Sequence, residues 1–296
     1  MTHRENFAQL LAAGLTVSMF DELEMHPEEY SQICNLETST SAYDEYQKFA
    51  GLGAAMSKLE GSALSYDDPI QGGSKRIYAE TFALGWIATM EMLADDKYAR
   101  IRTVPGELAG SIKHMMEQTA ANVYNLGFTT TTTTDGLSLF NTAHPLLGGG
   151  TLSNRHPTNA GLSQTALQDL IVLGHNYTND RGLKRRQKME ELDVPPELQW
   201  IAQKILKSEL EPGTGNNDIN TAKGLLTYNI RHYYTSTVAY FLRASKHKVT
   251  FITRQKPSTE AADDFDTKGQ KHSIVSRFGA GAWDWPGVMA SSGVGS

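Results

Sequence analysis

Between Tyr98 and Gly127 the apolar residues return at intervals of three and four: Ile101, Leu108, Ile112, Met115, Thr119, Val123 and Leu126 follow Tyr98. That spacing marks one face of an α-helix. Pro105 is best placed in a first turn, so regular helix is expected from about Thr103, and Gly127 is a good stop. A helix over 103–126 is roughly 36 Å long at 1.5 Å per residue, longer than the average globular helix. His114, on the flank of the stripe, reads as an ordinary surface or packing histidine.

The stretch before the rod cannot support itself. Residues 48–90 read as two strands around a turn-rich middle, "EGSALSYDDPIQGGSK", punctuated by Gly61, Asp67-Asp68-Pro69 and Gly72-Gly73. The returning strand alternates, with Tyr78, Phe82, Leu84 and Trp86 on one face and Glu80 breaking it. A long hairpin with so little core of its own is marginal in isolation and needs a partner surface. Residues 1–47 are polar and only weakly periodic, and read as an arm lying over something else, such as a neighbouring subunit. The run "FAQLLAAGLTVSMF" at 7–20 is interrupted by Gln9, Thr16 and Ser18 and followed by "DELE", which suits an arm better than a signal peptide.

After the rod, "FTTTTTTDGLSLF" pairs strand-forming threonines with Asp135-Gly136, a two-residue hairpin turn, so 128–134 and 137–141 are expected to pair. Residues 163–177 read as a helix with Ser163 as N-cap and Leu167, Leu170 and Ile171 inward. A short basic hairpin, "NDRGLKRRQK", follows. "LDVPPELQWIAQKILKS" begins a second helix, with prolines in its first turn and Leu198, Ile201, Ala202, Ile205 and Leu206 as its apolar face. Beyond a Gly/Asn-rich loop at 212–218, residues 220–285 read as strands: "GLLTYNIR", "TVAYFLRA", "KVTFITRQKP" and "HSIVSRFGAGAWDW". The tail "MASSGVGS" is expected to fray. There is no internal repeat and no disordered linker.

Bulk properties narrow the function classes. The chain has 296 residues, enough for one or two domains, and 40% hydrophobic content supplies a core. A net charge of −6 argues against a dedicated nucleic-acid binder. The single cysteine, Cys34, excludes an intrachain disulfide and reads as a small buried apolar group. No stretch approaches the roughly 20 apolar residues of a membrane-spanning helix.

The segment "LFNTAHPLLGGGTLSN", residues 139–154, places Asn141, His144 and Asn154 close to three consecutive glycines. Read as chemistry, Asn141, His144 and His156 form a catalytic or metal loop, with Ser138 and Asp135 nearby. Yet no Gly-x-Ser-x-Gly elbow surrounds Ser138. His144 and His156 match no zinc spacing, and "GGGTLSN" lacks the lysine and helix of a phosphate loop. Read as architecture, Pro145 holds His144 extended, Gly148-Gly149-Gly150 supply conformations that other residues resist, and Asn141 and Asn154 bond nearby backbone. The residues favour a loop selected for shape, so no catalytic, cofactor-binding or metal residue is assigned and no cofactor is expected. The basic cluster Lys184, Arg185, Arg186 and Lys188, followed by Glu190, Glu191 and Asp193, reads as a solvated hairpin or an ion-pair element between subunits.

Several blocks, in this order, resemble the major capsid (coat) proteins of tailed bacteriophages: "DGLSLFNTAHPLLGGGTLSN", "LSQTALQDL", "LDVPPELQWIAQKIL", "DINTAKG", "FITRQKP" and "RFGAGAWDWPGV". The chain is most similar to the Mu-type major head subunit branch. The resemblance spans roughly residues 10–290, with "LFNTAHP" and "VPPEL" its most specific parts. It implies an α+β, Hong Kong 97-type capsid fold. Residues 1–47 would be the N-terminal arm and 48–90 the extended loop reaching over a neighbouring subunit. Residues 91–160 would form a peripheral domain with the spine helix at about 103–126. Residues 161–247 would form the axial domain, and 248–296 the return to the peripheral domain and the C-terminal tail.

The implied function is assembly without catalysis. Hexamers and pentamers would close into an icosahedral head shell around double-stranded DNA, which is held without sequence-specific binding. The implied location is the virion head, with the host cytoplasm during assembly. Expected partners are further copies of the chain, a portal protein, a decoration protein and a separate scaffolding protein, since no long charged helical segment precedes residue 20. No membrane partner is expected. Two other readings stay open: an encapsulin-like nanocompartment shell, and a hydrolase using His144 and Asp135.

Overall fold

In a computed structural model the described residues are 28–89, 104–210, 219–263 and 269–293. The N-terminal run 7–20, the start of the rod stripe at Tyr98 and Ile101, and the loop 212–218 lie outside them. The chain folds into two compact units.

The first unit draws on residues up to Asp44, Ile77–Ala120 and Phe251–Ala280. Its sheet has the order β1 (Asn35–Thr38), β10 (Val249–Asp263), β11 (Gln270–Ala282), β4 (Glu80–Ala88). β4 runs antiparallel to β11, from Glu80 opposite Phe278 to Ala88 opposite Gln270. Phe82 stacks on Phe278 at 4.4 Å, and Phe278 on Phe251 at 5.5 Å. Phe82 and Trp86 thus find their partners on β11, while Tyr78 and Leu84 of the same alternating face stay exposed.

The long helix α2 spans Val104–Asn125, about 33 Å at 1.5 Å per residue. Its buried face is rotated from the predicted stripe. Leu108, Ile112 and Val123 are buried as expected, but Ala109, Met116, Ala120 and Tyr124 join them, whereas Leu126 is exposed. Alanines let neighbours approach closely, and a hydropathy stripe weights large residues over small ones. Lys113 and Glu117 are also buried. The Glu117 carboxylate accepts the N–H groups of Glu29 and Tyr30, at 2.9 and 2.7 Å, and so caps the short helix α1 (Tyr30–Ile33) from outside. Burial raises the Glu117 carboxyl above its usual range, partly offset by these two bonds.

The predicted returning strand is two strands. β3 (Ile70–Tyr78) pairs with β2 (Tyr43–Ala50), and β4 begins after Ala79 in the other sheet. Gly279 permits the switch: a Cβ there would fall onto the Tyr78 carbonyl oxygen.

The second unit comprises Glu45–Arg76, Ala121–Thr250 and residues from Gly281 onward. Its sheet runs β12 (Val288–Ser291), β9 (Tyr240–Arg243), β7 (Glu191–Val194), β8 (Thr227–Ile230); β7 is parallel to β8 and antiparallel to β9. Helix α3 (Gln164–His175) has its predicted cap, with Ser163 Oγ accepting the Ala166 N–H at 3.2 Å, and Leu167, Leu170 and Ile171 are buried. Helix α4 is shorter than expected, Gln199–Lys207. Leu192–Val194 belongs to β7, and Pro196–Leu198 forms a 3-10 turn.

Two expectations fail in this unit. The tail does not fray at "MASS": Val288–Ser291 is the wholly buried strand β12, paired with β9, and Ser291 Oγ donates to the Ala160 carbonyl at 2.6 Å. Small residues read as tail by composition, but in an interior strand their size permits close packing. The 128–141 hairpin shrinks to a single bridge, Thr132 to Ser138. The threonine and aspartate side chains bond local backbone and compete with a regular ladder. Asp135 Oδ1 accepts from Thr133 Oγ1 at 2.6 Å and from the Leu137 N–H at 3.0 Å.

Candidate functional site: a buried histidine clasp at the root of an exposed arm

The loop 139–154 closes on its own ends. The short strands β5 (His144–Pro145) and β6 (Thr151–Leu152) pair, with Gly149 and Gly150 at positive φ in the turn. Asn154 is fully buried. Its Nδ2 donates to the Leu139 carbonyl at 2.7 Å and the Val288 carbonyl at 3.3 Å, and its Oδ1 accepts the Asn141 N–H at 2.9 Å. Asn141 folds back on itself, its Oδ1 accepting the Ala143 N–H at 3.0 Å.

His144 is likewise fully buried. Its Nδ1 lies 2.6 Å from Asp135 Oδ2, and since a carboxylate only accepts, Nδ1 donates this bond. Nε2 lies 3.3 Å from the Leu139 carbonyl and 3.2 Å from Asn154 Oδ1. Both ring nitrogens are therefore occupied by structure. Ser138 Oγ donates to the Phe140 carbonyl at 3.4 Å. The Asp135–His144 pair of the hydrolase reading exists, but it faces backbone and amide groups where a nucleophile would have to stand. His156 sits elsewhere, its Nδ1 accepting the N–H groups of Thr158 and Ala160 at 3.3 Å each. Among the described residues no three His, Cys, Asp or Glu side chains converge as a metal requires. Cys34 is buried, and His114 lies on the exposed side of α2.

Replacing His144 by alanine removes a stacked ring and one of Asp135's partners at once. We expect a loss of about 2–4 kcal/mol, read as a lowered urea midpoint; a change under about 1 kcal/mol would show that the clasp is dispensable. Burial alone raises the Asp135 carboxyl, but the hydrogen bonds from His144, Thr133 and Leu137 outweigh it and hold the group below the ordinary carboxylate range. Its contribution to stability is therefore complete above the unfolded value of about 3.9 and is lost as pH falls through the lower folded value. Asp135→Asn should flatten that part of the acid-denaturation curve.

The clasp shares a platform with the arm. Trp285, buried, carries His144 stacked on its face at 4.7 Å and the Tyr177 ring edge-on at 5.4 Å. Lys48, at the end of β2, holds its Nζ 5.8 Å from the Trp285 ring centre and pairs with Asp180 at 3.2 Å and Asp284 at 3.6 Å. Burial raises the Asp284 carboxyl, partly offset by Lys48. On β3, Lys75 Nζ donates to Thr132 Oγ1 at 2.7 Å, and a Cβ at Gly73 would strike the Thr134 carbonyl oxygen. Arg181 ties the far end of the loop by pairing with Asp67 and donating to the Asp68 carbonyl at 3.0 Å.

Beyond these ties the loop between β2 and β3 presents apolar side chains to solvent. Leu52, Leu59, Leu64 and Tyr66 are 57–89% exposed, with Met56 at 80%. The basic residues Lys184, Arg185, Arg186 and Lys188 are also exposed. The acids that follow do not serve them: Asp193 and Glu191 on β7 pair with Arg231 and Arg243. Sequence reading missed Lys48, Asp180, Asp284 and Asp193 as a set. Their only sequence signal is charge inside apolar strands or turns, which does not say which charges meet.

No curated protein matches the chain. Among solved structures, the capsid of cyanophage P-SCSP1u matches with TM-score 0.62 at 9% identity, over 89% of this chain and 87% of that one. The mature capsid of bacteriophage PhiM1 matches with TM-score 0.58 at 10% identity, over 90% and 87%. The decorated capsid of bacteriophage JBD30 matches with TM-score 0.57 at 14% identity, over 71% and 92%. At such identities the likeness is one of fold, the α+β Hong Kong 97-type capsid fold expected from the sequence. Residues 73–290 match the phage capsid protein family. That match spans well over half of the chain, and the chain belongs to the phage capsid protein family.

Proposed function

We propose that this chain is the major capsid subunit of a tailed phage of the Mu-type branch, assembling as hexamers and pentamers into an icosahedral head around double-stranded DNA. One observation carries the reading: the arm at 51–69 exposes large apolar side chains while its root is fastened by buried ion pairs. Large apolar side chains left in solvent together along one loop mark an interface. An anchored arm suits a loop that covers a neighbouring copy and shares in many weak contacts. On this reading residues 1–47 are an N-terminal arm and 48–90 the extended loop. The helix at 104–125 is the spine of the peripheral domain, 161–247 form the axial domain, and the strands after 248 return to the peripheral domain. The chain works without catalysis. Its partners are its own copies, a separate scaffolding protein, a portal and a decoration protein. A net charge of −6 suits a container whose wall must not grip the packaged DNA. The subunit resides in the virion head, after assembly in the host cytoplasm.

Electron microscopy of the purified protein, with light scattering after size exclusion, tests the proposal. Closed shells, tubes or free capsomers are expected, alone or with a separate scaffolding protein. A species that stays monomeric with that scaffold would overturn the reading.

A further inference from the structure

Within the second unit, helices α3 and α4 expose unlike flanks. On α4, Trp200 is 71% exposed and Ile201 43%, although the apolar face predicted for this helix had Ile201 inward. With Leu162 and Ile205 they line an open groove of about 410 Å³, bordered by Lys204 and by Ser163 and Gln164 at the start of α3. Lys204 and Lys207 make the last turn of this helix cationic. On α3, Thr165, Asp169 and Val172 form an exposed stripe at intervals of four and three. They lie about 80–140° around the helix axis from Gln164, at 3.6 residues per turn, and so on a different flank from the groove. Val172 is 57% exposed and the Asp169 side chain 59%, with Asp169 Oδ2 3.8 Å from His156 Nε2.

One flank is apolar with lysine; the other sets Asp169 between Thr165 and Val172. Their charges are opposite, yet they stand on different flanks of one compact unit, so the match is with another copy. Two surfaces that differ and fit make a head-to-tail contact, which closes into a ring when the rotation allows. Tryptophan in a groove is the residue type that carries most energy at such contacts, and opposite charges beside it select the partner. Resting on the shell reading, we propose that the Trp200 groove of each copy receives the Asp169–Val172 flank of the next copy around a capsomer, with Lys204 meeting Asp169.

A charge exchange tests this. Lys204→Glu and Asp169→Lys are each expected to reduce assembled capsomers and shells by about tenfold, and the double variant to return within about twofold of the unaltered protein. Trp200→Ala is expected to match the single reversals. All four carry changes on exposed residues, and an unchanged melting temperature of the free subunit confirms that each folds. Single variants that assemble normally, or a double variant no better than the worse single, overturn the contact while leaving the shell reading standing. If the unaltered protein fails to assemble with its scaffold, the shell reading falls, and this contact with it.

Discussion

Replacing Asp193 by alanine is expected to destabilise the second unit by about 3–5 kcal/mol, the cost of leaving a buried charge without its partner. Asp193 is fully buried on β7. Its Oδ1 accepts from Arg231 Nε at 2.8 Å and its Oδ2 from Arg243 Nε at 3.1 Å, and both arginines are buried too. Arg243 also pairs with Glu191. Arg243 is raised far above its ordinary range: burial opposes its charge, and Asp193 and Glu191 outweigh that penalty. For a unit of this size the melting temperature should fall by about 10 °C. Replacing all three by apolar residues, Asp193→Leu with Arg231→Met and Arg243→Met, should recover most of the loss, because the one charge that loses its partner, Glu191, is partly exposed to water. A single variant that loses under about 1 kcal/mol would mean that water reaches the arginines in the folded unit.

The second large effect concerns assembly and spares the fold. Residues 54–65 lie beyond the last ties of the arm, since Asp67 Oδ2 accepts the Gly53 N–H at 2.7 Å and Arg181 holds Asp67 and Asp68. Excising 54–65 and bridging the gap with a short Gly-Ser turn removes Met56, Leu59 and Leu64 without touching β2 or β3. The free subunit should melt within about 2 °C of the unaltered protein, because shortening an exposed loop costs little. Shell yield, counted by electron microscopy, should fall at least about tenfold as a repeated contact is lost from every copy. Shells of normal yield and size from this variant would remove the arm from the assembly mechanism. A cut extending to residue 74 would test something else: Ser74 donates to Glu45 and Gly73 packs on Thr134, so it would break β3 at its root.

The elements that could be read from the sequence are those governed by neighbours along the chain. Helix 104–125, the Ser163 cap and the inward Leu167 and Leu170 follow from periodicity and one hydroxyl, both local properties. The hairpin's lack of core was legible because it is a matter of composition. His144 and Asn154 could be identified as shaping residues, since Pro145 and the glycines around them restrict the backbone to a loop. What escaped was everything set by partners distant in sequence. Leu192–Val194 looked like the entry to a helix because prolines follow it, and became a strand because β8 and β9 stand on either side. Val288–Ser291 looked like a fraying tail and became a buried strand because β9 offers it a free edge.

The sequence by itself determined the class of molecule: a long amphipathic rod, a hairpin unable to stand alone, and motifs ordered as in a phage coat protein. These depend on local propensity, on apolar content and on the order of blocks, all of which can be read without a third dimension. Only the tertiary structure decided which charges meet. Lys48 reaches across more than a hundred residues to Asp180 and Asp284, Asp135 bonds its own turn with one oxygen and His144 with the other, and Asp193 holds two arginines. Charge pairing acts over a few ångströms in space, is strong only once water is excluded, and has no period along the chain.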